Sequence, residues 1–349
     1  MRRLPVYFLI DVSESMVGDQ ILHVEEGIAT IVKELKTDPT ALETVFLSII
    51  VFAGQAKTII PLQELVQFYP PKIPIGGGTS YASGFGHLMS EMRRDLVKTT
   101  TDRKGDWKPI VFFFTDGVPT HDSTANTIAQ WKSGWGSGAN LVAVSLGDET
   151  DLALLHEFTD NVFHFKSLTG EDYRNFFRWV TASIKSSSTS VEASGSGFDL
   201  AKLDHSGLEI APNVKRSPAF FKRASPFTII AARCVYTKRP YLMKYSQMAE
   251  GEMGKPDYWL AYRLSGAHLI DESYFELCST SYEPMEVSTD QLVGTPNCPS
   301  CQNRFGFCLC TCGKIHCIGG DGGATCPWCG QTDTYERMKG SAEVGQAEG

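Results

Sequence analysis

Apolar positions along the first half of the chain switch between two spacings. Leu4–Ile10 is a continuous apolar run that stops at Asp11, the pattern of a strand covered on both faces. Ile21, Val24, Ile28, Ile31, Val32 and Leu35 then recur at helical spacing. Val45–Phe52 predicts a second buried strand, and Lys57–Ile60 a short third one stopped by Pro61. Tyr81, Phe85, Leu88, Met89, Met92 and Leu96 mark the next helix, and Ile110–Phe114 is a wholly apolar strand. Asp122–Lys132 reads as a helix, Leu141–Leu146 as a strand, Leu152–Phe158 as a short helix and Val162–Phe165 as a strand. Tyr173, Phe176, Phe177, Val180 and Ile184 line a closing amphipathic helix. Strands and helices in alternation predict an α/β domain over residues 1–185, with a mostly parallel central sheet and helices on both faces.

The pattern then breaks. SSSTSVEASGSG, residues 186–197, has no apolar face, so residues 186–207 are expected to form a flexible linker. FTIIAARCVY, YLMKY and YWLAYRL are rich in aromatic and branched residues, which predicts a small β-rich domain over residues 208–332. Residues 333–349, ending EVGQAEG, are expected to be a disordered tail.

Composition narrows the function classes. Of 349 residues 42% are hydrophobic, enough for a sizeable interior. A net charge of −8 argues against a general nucleic-acid or anionic-membrane binder. MRRLPVYFLID imitates a secretory leader, but its apolar stretch is short and ends in a charge, so it reads as a strand. No stretch reaches the apolar length of a membrane span. The expected location is the cytoplasm. The cysteines agree: Cys234 and Cys278 stand alone, while the other eight fall between Cys298 and Cys329 in CxxC and CxC spacings, which signals metal rather than a disulfide framework.

Ligands of open α/β sheets gather beyond the carboxyl ends of the strands. Three predicted loops there carry matching chemistry. DVSES, after the first strand, offers Asp11, Ser13 and Ser15; PIGGGTS offers Thr79; FFFTDGVPT offers Asp116. Two carboxylates and three hydroxyls are hard oxygen donors, suited to Mg²⁺, Mn²⁺ or Ca²⁺ rather than zinc. With only two acids the ion keeps a position open to water or to an outside carboxylate. Each residue alone has a plainer reading, since Asp and Ser commonly cap helices and form turns. His121 and Asp122 read as loop residues, with Asp122 a helix cap.

DVSES, GGGTS and TDGVPT together resemble the von Willebrand factor A domain and its metal-ion-dependent adhesion site, with the three segments in the family's order. The resemblance implies a Rossmann-like domain. It also implies that Asp11, Ser13 and Ser15 are first-loop ligands, directly or through water, and that Thr79 and Asp116 serve from the second and third loops. The ion would grip a partner's acidic side chain without breaking bonds.

The cysteine-rich segment reads CPSCQNRFGFCLCTCGKIHCIGGDGGATCPWCG. Cys298-x₂-Cys301 and Cys326-x₂-Cys329 are paired knuckles, each able to hold two corners of a zinc tetrahedron. Between them, Cys308, Cys310 and Cys312 alternate and would share one face of a strand. The favoured ligands are Cys298, Cys301, Cys326 and Cys329, with Cys310, Cys312 and Cys317 next. The partition stays open: one site from the outer knuckles, two sites sharing all eight thiols, or a set that includes His316. Cys308, between Phe307 and Leu309, is read as an inert thiol, and Cys234 and Cys278 as ordinary buried thiols. An iron–sulfur cluster or a redox pair is the competing reading of the segment. A zinc ribbon over residues 296–332 fits its glycine-rich hairpin better.

An A-type domain followed by KRPYLMKY, YRLSGAHLIDESYF and the CPxC…CxCG…CPWCG ribbon resembles the TerY family of bacterial tellurite-resistance proteins. That resemblance implies a non-enzymatic, metal-dependent adaptor in a phosphorylation-linked stress system, partnered by a protein kinase and a metal-dependent protein phosphatase. Two other classes compete. A Mg²⁺-dependent phosphoester hydrolase would use Asp11 as nucleophile, but it needs an acid two residues on, where Ser13 stands. A nucleic-acid-binding ribbon would need phosphate contacts, yet only Arg304 and Lys314 are basic between Cys298 and Cys329.

Overall fold

The computed structural model describes residues 2–119, 124–146, 150–165, 170–194, 200–201, 208–211, 226–248, 261–279, 285–319, 323–336 and 340–347. His121 and Asp122 lie outside them, as does part of YWLAYRL. The chain divides into two compact units, the first made of Met1–Ile73 and Thr79–Phe220, the second mainly of Phe221–Gly349.

The first unit is built on strands β1 (Leu4–Asp11), β2 (Val45–Phe52), β3 (Ala56–Glu64), β4 (Ile110–Thr115), β5 (Asn140–Ser145), β6 (Val162–Phe165) and β7 (Leu208–Ile210). Among the described residues they form one sheet in the order β3-β2-β1-β4-β5-β6-β7. β1, β2, β4, β5 and β6 run parallel, and β3 and β7 close the edges antiparallel. β1, β4 and β5 are buried along most of their length, as their unbroken apolar runs require. Chain order reverses between β1 and β4, so the carboxyl ends of these two neighbours flank the topological switch point.

Helices α1 (Asp19–Leu35), α2 (Pro39–Thr44), α3 (Tyr81–Asp95), α4 (Thr124–Gly134), α5 (Leu152–Phe158) and α6 (Gly170–Ser194) accompany the sheet. α1 buries Ile21, Val24, Ile28, Ile31, Val32 and Leu35, the predicted stripe. It packs on α6 where Gly27 meets Phe177, and a Cβ on Gly27 would stand 2.0 Å from the ring. α2 escaped the periodicity because it is only six residues long. Its signals are local: Asp38 accepts from Ala41 N at 3.1 Å, and Pro39 takes the first helical position.

Several expectations are corrected. Pro61 does not stop β3, which runs on to Glu64. The strand lies at the sheet edge, and its pairing with β2 is irregular between Leu47 and Ile50, where a missing donor is tolerated. Residues 186–194 are not a linker but the last turns of α6. Ser187 and Ser188 are both buried, and Ser188 Oγ lies 2.6 Å from Thr44 Oγ1 on α2. Small hydroxyls let two helices approach while bonding across the gap, so a segment without an apolar face still has a buried one. Residues 208–210 belong to the first unit, since β7 pairs with β6.

The second unit contains β8 (Phe227–Arg233), β9 (Pro240–Gln247), β10 (Tyr262–Leu269), the short helix α7 (Ser273–Leu277), β11 (Glu286–Ser288), β12 (Leu292–Val293), β13 (Phe305–Leu309), β14 (Ile315–Ile318), β15 (Gly323–Thr325), β16 (Thr332–Thr334) and β17 (Glu343–Gly345). A six-stranded sheet in the order β12-β10-β9-β8-β14-β13 joins the β-rich segment and the ribbon into one body. Ile230, Tyr241, Met243, Tyr245, Ile315 and Val344 share its core. The tail is not disordered as expected. β17 pairs antiparallel with β11, and Val344 is 1% exposed. One buried valine amid glycine and glutamate was too weak a pattern to read as a strand.

Candidate metal centres

β1 ends at Asp11, which is wholly buried at the switch point. The turn after it is set by the aspartate itself: Asp11 Oδ1 accepts from Ser13 N at 3.0 Å, an Asx-type turn. Ser13 Oγ then lies 2.9 Å from Ser15 Oγ, and Ser15 Oγ donates to Asp116 Oδ1 at 2.7 Å. Asp116 immediately follows β4. Thr79 precedes α3, whose N-cap Ser80 accepts from Ser83 N at 3.2 Å. Its hydroxyl lies 3.6 Å from where a Cβ on Gly117 would sit, next to Asp116. All five residues are between 0 and 6% exposed, so the oxygens form a recessed cluster.

Sequence reasoning missed Thr115. Its hydroxyl donates to Asp11 Oδ2 at 2.7 Å and faces Gly117 N at 3.3 Å. Tyr81 OH, itself donating to Gly117 O at 2.9 Å, lies 3.1 Å from the same hydroxyl. Thr115 stands in TDGVPT beside Asp116, but nothing in the spacing marks it as a partner of Asp11. With its side-chain amide turned, Gln20 donates to Ser15 O at 2.7 Å and Asp116 Oδ2 at 3.3 Å.

Burial, and then the negative charge of Asp116, push the Asp11 carboxyl up to about 7. Two carboxylates share a site poor in water, which disfavours ionising both. A small divalent cation removes that conflict, and the oxygen-only donor set is the hard one that Mg²⁺ or Mn²⁺ takes. Asp11, Ser13, Ser15, Thr79 and Asp116 therefore fit such an ion.

The cysteines fall into two quartets, Cys234, Cys298, Cys301, Cys317 and Cys310, Cys312, Cys326, Cys329, with sulfurs within 4.8 Å of one another in each. Cys301 and Cys317 sulfurs are 3.7 Å apart, Cys310 and Cys329 3.8 Å, and Cys312 and Cys326 3.9 Å. A tetrahedron with zinc–sulfur bonds of ~2.3 Å has an edge of roughly 3.8 Å. The two outer knuckles thus serve different sets, so of the open partitions it is the two-site one that the geometry favours, with Cys234 in place of Cys308. Cys234 is no ordinary thiol. His316 stands outside both quartets, with Nδ1 2.8 Å from Cys317 O. Cys308 also stands outside; it lies on β13, which ends before Cys310 turns away, and burial pushes its thiol up to about 12. Cys278 faces Tyr274 O at 3.3 Å.

Four turns present the sulfurs in one way. Cys298 N donates to Asn303 O, and Gln302 N returns to Cys298 O. Cys326 with Gln331 and Gly330 repeats this, as does Cys234 with Arg239 and Lys238. Cys310 does so one residue tighter, with Lys314 and Gly313. The residue closing each turn has positive φ: 63° at Gln302, 79° at Gly330, 61° at Lys238 and 80° at Gly313. CVYTKR is thus a knuckle with Thr237 where a second cysteine would stand, which is why spacing alone did not reveal it. In the first quartet a hydrogen bond from Cys317 holds Cys298 down to about 5, while that bond and burial push Cys317 up. Clustered thiols cannot all ionise together unless a cation joins them.

The TerY-C metal binding domain family matches residues 224–349, and the von Willebrand factor type A domain family matches residues 6–177. The chain is a TerY-like protein. Its A domain is the first unit's sheet and helices. Its TerY-C domain is the metal-binding unit that carries both quartets, and tetrahedral sets of four thiolates are zinc ligands. No curated protein matches the chain. Among solved structures, proximal thread matrix protein 1 from the mussel byssus, with a zinc-occupied MIDAS motif, is 16% identical over 52% of this chain and 46% of its own, with a TM-score of 0.37. The PilB minor pilin of Streptococcus sanguinis is 12% identical over 53% and 61%, with a TM-score of 0.39. The SpaC pilus adhesin of Lactobacillus rhamnosus GG is 11% identical over 79% and 38%, with a TM-score of 0.44. The TerY-like chain spans from about half to three fifths of the first two proteins' lengths, and likeness at this level carries no functional argument. No described helix is long and apolar enough to cross a membrane.

Proposed function

We propose that the protein is a non-enzymatic adaptor that docks partner proteins through a divalent ion held by Asp11, Ser13, Ser15, Thr79 and Asp116. The observation that carries this reading is the hydrogen-bonded run Asp11–Ser13–Ser15–Asp116, which gathers two buried carboxylates and two hydroxyls at the switch point. A bound ion supplies one open coordination position to an acidic side chain from outside. The recessed cluster suits a narrow, extended donor such as a glutamate or aspartate. Thr115 and Tyr81 hold Asp11 and the following loop in place, and the zinc quartets hold the TerY-C domain together.

The partners fitting this role are a protein kinase and a metal-dependent protein phosphatase, in a cytoplasmic tellurite-resistance or stress-response phospho-signalling system. The domain pairing supports that assignment. Pull-down from a cognate lysate with and without EDTA tests it, read against the Asp116→Ala variant. Partners are expected to be lost in both. Retention of the same partners under chelation and in the variant would overturn the reading, as would steady turnover of a generic phosphoester by the intact protein.

A further inference from the structure

The two quartets differ in how they meet solvent. In the first, Cys234, Cys298 and Cys317 are each 0% exposed and Cys301 is half-buried. In the second, Cys310 and Cys326 are buried, but Cys312 and Cys329 are exposed.

We infer that the second quartet is an oxidative modification site, at which Cys312 or Cys329 is attacked by a peroxide-class oxidant and zinc is released while the first quartet stays loaded. This rests on the reading that both quartets bind zinc. A zinc-bound sulfur remains a thiolate, and the thiolate is the reactive form. Attack on the peroxide by the exposed sulfur breaks the O–O bond, giving a sulfenic acid and hydroxide. A neighbouring thiolate of the same quartet, within 4.8 Å, then displaces the second hydroxide and forms a disulfide. Two thiolates lose two electrons, the peroxide gains two, and two protons from solvent complete two waters. Two thiolates remain, too few for a tetrahedral structural site, and the ion leaves. In the first quartet only the half-buried Cys301 offers the peroxide any access, so attack there is slower.

Cys308 is an internal control. It is buried and stands outside both quartets, so the peroxide should leave it unmodified while the second quartet reacts.

The test uses the intact, zinc-loaded protein and hydrogen peroxide. Zinc content is measured first, then release with a chromophoric chelator, then thiol state by mass spectrometry of alkylated peptides. The starting content is expected to be two ions, one per quartet. Release is expected in two phases, one ion leaving at least ~10-fold faster, with the new disulfide joining members of the Cys310, Cys312, Cys326 and Cys329 set. A reductant with added zinc should reverse it. The Cys312→Ser/Cys329→Ser variant should hold one ion and lack the fast phase. A starting content below two would contradict the two-quartet reading itself. Two ions released at one rate, or a first disulfide involving Cys234, Cys298, Cys301 or Cys317, would overturn the inference while leaving that reading intact.

Discussion

Cys317 lies level with Cys234 because β14 runs parallel to β8 with His316 paired to Arg233. One step beyond that register, two residues from distant parts of the chain deliver their sulfurs to a single quartet. Strand pairing joins the ribbon to the first strand of the TerY-C domain, and an ion in this quartet would fasten the two further.

Cys234→Ser should lower zinc content from two ions to one by elemental analysis, and should lower the unfolding midpoint of the TerY-C domain. A structural zinc contributes on the order of 10 kcal/mol of binding free energy to folding, so the effect should far exceed that of an ordinary thiol replacement. Cys278→Ser and Cys308→Ser should leave zinc content at two. Full zinc retention in Cys234→Ser would remove that residue from the site.

Thr115→Val removes the hydroxyl that donates to Asp11 Oδ2 while keeping shape and burial. Loss of a hydrogen bond that orients a ligand costs roughly 10–100-fold in metal affinity. Calorimetry of Mn²⁺ binding should show a loss of that size, with far-ultraviolet circular dichroism unchanged. An unaltered affinity would mean that the bond has no positioning role.

Gly27→Ala places a methyl group where the Phe177 ring already stands. Overpacking of this kind typically costs about 1–3 kcal/mol. Urea unfolding of the A domain should shift by that amount, and Gly27→Ala combined with Phe177→Leu should recover part of it. No shift would show that α1 and α6 are free to move apart.

Val344→Ala tests the docked tail. Two buried methyl-sized groups at ~0.8 kcal/mol each predict a loss of about 1.6 kcal/mol in the TerY-C domain. Deletion from Glu343 onward should cost more, because it also removes the pairing with β11. Indifference to both changes would return the tail to the disordered state first expected of it.

Where a residue's role follows from local pattern, it was legible. The apolar runs located β1, β2 and β4 almost to the residue, because burial on both faces leaves few polar positions to confuse the period. The three oxygen-bearing loops were legible for a related reason, since each directly follows or precedes an element that announces itself. What failed depended on partners. Ser187 and Ser188 look like linker residues until α2 is packed against them, and Val344 looks like tail until β11 is beside it. Cys234 is the clearest case. A knuckle with one cysteine has no spacing signal, and its ligand role exists only through the β8–β14 register.

The central claim is that Asp11, Ser13, Ser15, Thr79 and Asp116 hold one divalent ion. Titration calorimetry of Mg²⁺ and Mn²⁺ into the intact protein, compared with Asp11→Ala and Asp116→Ala variants shown to be folded by circular dichroism, tests it most directly. One saturable site in the parent, abolished in both variants, is the predicted result. Binding that is unchanged in either folded variant, or absent from the parent, would contradict it.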